Sequence, residues 1–134
     1  MADYLFDTGV LARCLRGIDE TLDLARTLTA DGNLHISALS HFEVLAQALP
    51  REEKRTLEFL APFLHLALDE NVAEFAARLA REPGAVPNLF DAVIAATALR
   101  YGLTLVTYNQ ANFAHVPDLK IYAPSVSRRA QGER

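Results

Sequence analysis

A single cysteine, Cys14, is all the sequence offers for disulfide chemistry. No bridge can close within the chain, and a reducing, cytoplasmic setting is the expectation. Cys14 falls in the apolar phase of a helical pattern and reads as buried filler. No apolar run approaches the roughly 20 residues of a membrane span, and no basic-apolar-small leader precedes Tyr4, so no membrane role is expected. Basic charge is also short: 13 Lys and Arg against 17 Asp and Glu give a formal net charge of −4. That argues against a surface that holds nucleic acid by electrostatics alone. It leaves open an enzyme that acts on nucleic acid, because acids can be metal ligands and a bound divalent ion reverses the local field. Glycine-rich phosphate or dinucleotide loops are missing, and so is the elbow motif of serine hydrolases. His35, His41, His65 and His115 show no zinc-ligand spacing and read as ordinary surface or core residues.

What remains is a sequence suited to one globular core. Of its 134 residues, 51% are hydrophobic and 22% charged. Strands are expected at Tyr4 to Phe6, Leu34 to Ser37, Leu64 to Leu68, "LTLVT" and "LKIYAP". Helices are expected at Thr8 to Arg16, Asp19 to Ala30, Ala38 to Leu49, Arg51 to Phe63, Asn71 to Ala80 and from Asn88 to about Arg100. Strands alternating with helices of this length imply an α/β fold: a mostly parallel central sheet with helices on both faces. Such sheets bind ligands at the carboxyl ends of their strands, the edge where Asp7, Ser37 and Thr107 fall. A single domain over residues 1–126 is expected, followed by a flexible tail at 127–134.

Three carboxylates stand alone in apolar surroundings. Asp7 is the only charged residue from Tyr4 to Ala12, Glu43 from Leu34 to Pro50, and Asp91 from Pro83 to Leu99. An ionised carboxylate buried alone is costly, so each must pair, hydrogen-bond, bind metal or take up a proton. Asp7 can be a helix N-cap, and Asp91 can act as a first-turn dipole carboxylate. Glu43 is mid-helix and cannot cap. Together, on three elements with at least two aimed at one edge, they suggest hard oxygen ligands for Mg²⁺ or Mn²⁺. Phosphatases of the haloacid-dehalogenase type also end a first strand in Asp, but need a second Asp where this chain has Gly9.

The segments "YLFDTGVLARCLR", "ISALSHFEVLAQAL", "NLFDAVIAATAL" and "LTLVTYNQANFAHVPDLKIYAP" resemble, in this order, the PIN-domain proteins, and among them the VapC-like toxins of type II toxin–antitoxin modules. The resemblance runs from Tyr4 to about Pro124, and "DAVIAATAL" followed by "LVTYN" is its most specific part. It implies a three-layer α/β/α domain and a Mg²⁺-dependent (Mn²⁺ also possible) endoribonuclease that hydrolyses RNA phosphodiester bonds. The family's three acids match Asp7, Glu43 and Asp91, with Asp7 and Asp91 as metal ligands. Thr8, Thr107 and Asn109 match its supporting hydroxyl and amide positions. Where many relatives carry a fourth acid, this chain has Asn112, which can still accept a hydrogen bond or ligate weakly through its carbonyl oxygen. The resemblance further implies a small cognate antitoxin and a homodimer. An inactive RNA-binding or interaction module is the alternative that Asn112 keeps open, and a non-toxin PIN nuclease is a further one. The RNA target is not read from spacing.

Overall fold

The computed structural model describes residues 2–125; the tail expected at 127–134 lies outside the described residues. The elements run β1 (Tyr4–Phe6), α1 (Thr8–Leu15), α2 (Asp19–Asp31), β2 (Leu34–Ser37), α3 (Ala38–Gln47), α4 (Glu53–Leu60), β3 (Leu64–Leu66), α5 (Glu70–Arg81), α6 (Leu89–Tyr101), β4 (Thr104–Val106) and β5 (Ile121–Tyr122). The five strands form one sheet of order β3-β2-β1-β4-β5, and every pairing is parallel.

Strand alternation sorts the core to the two faces. Leu5 and Leu105 point to one side, where they meet Ile94, Ala95 and Ala98 of α6, Leu79 of α5 and Phe113. Tyr4, Phe6 and Val106 point to the other, against Val10 and Leu11 of α1, Leu28 of α2, Val44 of α3 and Leu60 of α4. This gives the three layers, α/β/α. The inward face of α6 is mostly alanine (Ala92, Ala95, Ala96, Ala98), all at most 1% exposed. Small side chains let this helix lie close to the sheet and to α5, where Ala92 and Ala96 meet Val72 and Ala76.

The ends of the elements follow local chemistry. Asn88 caps α6 by accepting from the Asp91 amide at 2.9 Å. Gly102 closes the same helix in the left-handed region at φ 64°, which only glycine adopts at little cost. The helix expected over Arg51 to Phe63 is shorter. Pro50 opens a 3-10 turn over Pro50–Glu52, held by Glu52 Oε1 accepting from the Leu49 amide, and α4 starts only at Glu53. Likewise α3 stops at Gln47 before that proline, and β3 and β5 keep three and two residues of the longer stretches expected.

Candidate active site

Chain connectivity builds the site. β1 leads through α1 and α2 to β2 on one side, while its other neighbour, β4, arrives late in the sequence. The crevice above the carboxyl ends of β1 and β4 is therefore the point where the sheet's winding reverses, the usual ligand position in such folds. Asp7 follows β1 and Thr107 follows β4. They close on each other across this crevice: Thr107 Oγ1 donates to Asp7 Oδ2 at 2.8 Å. The Asp7 Oδ1 accepts from the Thr8 amide at 2.7 Å, so Asp7 is also the N-cap of α1. The two readings that the sequence left open for Asp7 are compatible in one residue.

Glu43 reaches the same edge from α3. Thr8 Oγ1 lies 2.9 Å from Glu43 Oε1 and 2.9 Å from Ser40 Oγ. A hydroxyl has one proton; given to the carboxylate, it leaves Ser40 to donate to Thr8. Ser40 is fully buried, and its amide bonds the N-cap Ser37 Oγ at 3.0 Å. Thr8 thus joins the first acid, through its own amide, to the second, through its hydroxyl. Asp91, in the first turn of α6, accepts on Oδ2 from Asn88 Nδ2 at 3.0 Å and from Asn112 Nδ2 at 3.3 Å. Asn112 thus contributes as an amide donor to Asp91. Asn109 acts through its backbone: its amide donates to Thr107 Oγ1 at 3.0 Å, while its side chain lies on an exposed residue.

Sequence reasoning did not single out Ser40, nor a second group behind the loop. Arg13 is 6% exposed, its Nε donates to Thr21 Oγ1 at 3.0 Å, and its guanidinium stacks 4.2 Å from the Tyr108 ring centre. The Tyr108 hydroxyl returns to Thr21 at 2.9 Å. This clamp fixes the residue between Thr107 and Asn109. The available signals were Ser40 three positions before Glu43 on one helical face, and an arginine in the buried phase of α1.

Electrostatics couple the acids. Burial pushes the Asp7 carboxyl above its ordinary 3.8, against the hydrogen bonds from Thr107 and Thr8. Burial also raises Asp91, assisted by the nearby Asp7 charge and, more weakly, by Glu43, and opposed by Asn112 and Asn88. Among the described residues the ion pairs Arg26–Asp23, Lys54–Glu58 and Arg55–Glu52 lie on exposed helix faces and touch none of the three acids. The donor set is thus oxygen-only, anionic and without a resident cation, which suits a hard divalent ion. The acids are not drawn into a closed cage: among the described residues, no three Asp, Glu, His or Cys side chains stand together at ligand spacing. Asp7 and Asp91 are near enough that the Asp7 charge raises the Asp91 pKa.

These shifts fix the sign of a pH dependence. Both carboxyls bind protons more tightly folded than unfolded, so the folded chain holds more protons from about pH 3.8 up to their raised values. Their contribution to stability is fully present below that window and is lost as pH rises through it. In metal-free buffer, urea midpoints of wild type and Asp7→Asn should therefore diverge with rising pH, the variant becoming relatively more stable. Taking the difference cancels the opposite trend of His41, whose lowered value costs stability on acidification. A difference that is flat between pH 4 and 7 would contradict the burial of Asp7.

Residues 4–119 match the family model of the PIN domain. None of the curated proteins compared matches the chain. Among solved structures, the chain is similar to one chain of a toxin-antitoxin complex from Klebsiella pneumoniae, at 30% identity and a TM-score of 0.78, with 92% of this chain and 99% of that chain covered. FitAcB from Neisseria gonorrhoeae is similar at 26% identity and a TM-score of 0.70, covering 90% and 97%. VapBC2 from Rickettsia felis, bound to a DNA fragment from its promoter, shares the fold at 19% identity and a TM-score of 0.78, covering 92% and 99%.

Proposed function

Since this chain belongs to the PIN-domain family and is VapC-like, we propose that it is the toxin of a type II toxin–antitoxin module, a Mg²⁺-dependent endoribonuclease. The observation that carries the reading is the strand-end edge at the sheet's reversal point. There Asp7 is held by Thr107 and Thr8, its charge raises the Asp91 pKa, and no Lys or Arg is paired to either among the described residues. Asp7 and Asp91 would hold Mg²⁺, or Mn²⁺ in its place, directly or through water. Bound there, the ion supplies a Lewis acid that makes water a better nucleophile and offsets charge developing on the phosphoryl group. Glu43, steadied by Thr8, orients the attacking water and takes its proton. Thr107 and Asn112 keep Asp7 and Asp91 aimed at the edge, so the ligands need not reorganise when the substrate arrives.

The partners follow from the relatives. Toxin-antitoxin complexes are among the solved structures this chain resembles, which supports a small cognate antitoxin for it. An antitoxin arginine at the acid edge would satisfy the uncompensated carboxylates. A homodimer accords with Leu89, Phe90 and Phe42, large apolar side chains 73%, 54% and 63% exposed in the single chain. A location in the cytoplasm accords with the one thiol, and no helix among the described residues is long and apolar enough to cross a membrane.

The test is cleavage of a mixed cellular RNA by purified protein, with Mg²⁺, with Mn²⁺ and with chelator, beside Asp7→Ala. Cleavage that needs the divalent ion and is lost in the variant is the expected result. Binding of RNA without metal-dependent cleavage would overturn the nuclease reading and favour an inactive binding module. Cleavage undiminished in Asp7→Ala would overturn the assignment of the site.

A further inference from the structure

Two positions before Glu43 on α3, His41 brings its imidazole together with that of His65 of β3. The ring centres are 5.1 Å apart and the planes inclined by 59°. We propose that this pair is a second metal site, one that takes a borderline transition-metal dication, Zn²⁺ foremost, and links α3 to the edge strand.

Three features of the pair support it. The first is its tautomer. His65 Nε2 lies 2.9 Å from the Leu60 carbonyl oxygen. A carbonyl only accepts, so Nε2 carries the proton, and in the neutral ring Nδ1 is the nitrogen with the lone pair. An imidazole that gives one N–H to a backbone carbonyl is oriented as metal-binding histidines usually are. The second is an unmet need. His41 Nδ1 is shielded from solvent and has no hydrogen-bond partner, and the two rings do not bond each other. Buried ring nitrogens are seldom left so; a cation accepting its lone pair would satisfy it. The third is spacing. Two imidazoles that share one tetrahedral ion, with Zn–N of about 2.0–2.1 Å, place their ring centres roughly 5 Å apart.

The surroundings agree. His65 sits on an exposed stretch of β3, open to an ion from solvent. No third Asp, Glu, His or Cys stands with the pair among the described residues, so water completes the coordination and the affinity is moderate. Imidazole nitrogen favours Cu²⁺, Ni²⁺ and Zn²⁺ over Mg²⁺, which separates this site from the oxygen-rich edge.

The probe is Zn²⁺ itself, titrated by calorimetry into the full chain in excess Mg²⁺, with the thermal unfolding midpoint followed in parallel. One equivalent should bind, and the midpoint should rise with Zn²⁺ concentration, as for any ligand of the folded state. His41→Gln and His65→Gln should each weaken Zn²⁺ by about tenfold or more, while His115→Gln, on an exposed residue elsewhere, should not. His65→Gln carries the test if His41→Gln does not fold, because His65 is exposed. Equal affinity in wild type and His65→Gln would overturn the proposal, and so would an equal loss in His115→Gln. The readout involves no cleavage, so its outcome is independent of the nuclease reading.

Discussion

Asp91→Asn should abolish most RNA cleavage, by on the order of 10³-fold, and yet leave the metal-free protein more stable than wild type. The two effects share one cause. Asp91 is held above its ordinary pKa by burial and by the Asp7 charge beside it, so its ionised form is a burden on the folded chain. Asn has nearly the same shape and keeps a carbonyl oxygen to accept from Asn112 and Asn88 in place of the carboxylate oxygen they now bond. The charge is gone, and with it the oxygen ligand that the proposed Mg²⁺ site would take from α6. Adding Mg²⁺ should therefore raise the unfolding temperature of wild type more than that of the variant. Residual cleavage near wild-type level would show that Asp91 is a capping residue only. A metal-free variant less stable than wild type would refute the electrostatic account.

Phe113→Ala should have the largest effect on stability, about 3–5 kcal/mol, or roughly 10–20 °C in unfolding temperature for a domain of this size. Phe113 is 1% exposed and packs with Leu5, Leu105, Ile94 and Val116 beneath the loop after β4. A cavity there cannot collapse easily, because the sheet and the alanine face of α6 are already close-packed. The neighbouring residue is Asn112, which donates to Asp91. Cleavage per folded molecule should therefore fall as well, through loss of aim. Phe113→Leu, which refills most of the volume, should recover much of both. Urea unfolding with a matched cleavage assay separates the two; a drop of under 1 kcal/mol for the alanine would mean the loop is not anchored by this ring.

Much of this was legible in the residues. Strands, helices and their parallel order followed from apolar periodicity, and the lone acids stood out because nothing nearby pairs with them. Thr107 was found at the right edge because a strand's end can be counted. What a linear reading could not deliver was the set of contacts that depend on how elements meet. The Thr8 hydroxyl bonds Glu43 across 35 residues, and Arg13 stacks on Tyr108 in a buried network with Thr21. His41 and His65 look ordinary one at a time because metal spacing is legible along one helix, whereas this pair forms between a helix and a strand. The helices around Pro50 are shorter than their apolar pattern because the proline's local 3-10 turn outweighs it.

The bond from Thr107 to Asp7 spans one hundred residues of sequence, and β1 finds its second neighbour only when β4 arrives. All three acids are encoded by residue 91, but the edge that unites them is closed only by β4 and Thr107. A nascent chain on the ribosome that has extended through α6 thus carries every acid and no assembled edge. Pairing so distant in sequence is slow to form, and domains commonly begin folding from their N-terminal side during synthesis. On the proposed nuclease reading, a chain built in this order would stay inert toward the messenger being translated until synthesis has passed Thr107, and a product cut short before β4 would be harmless while containing the entire set of acids.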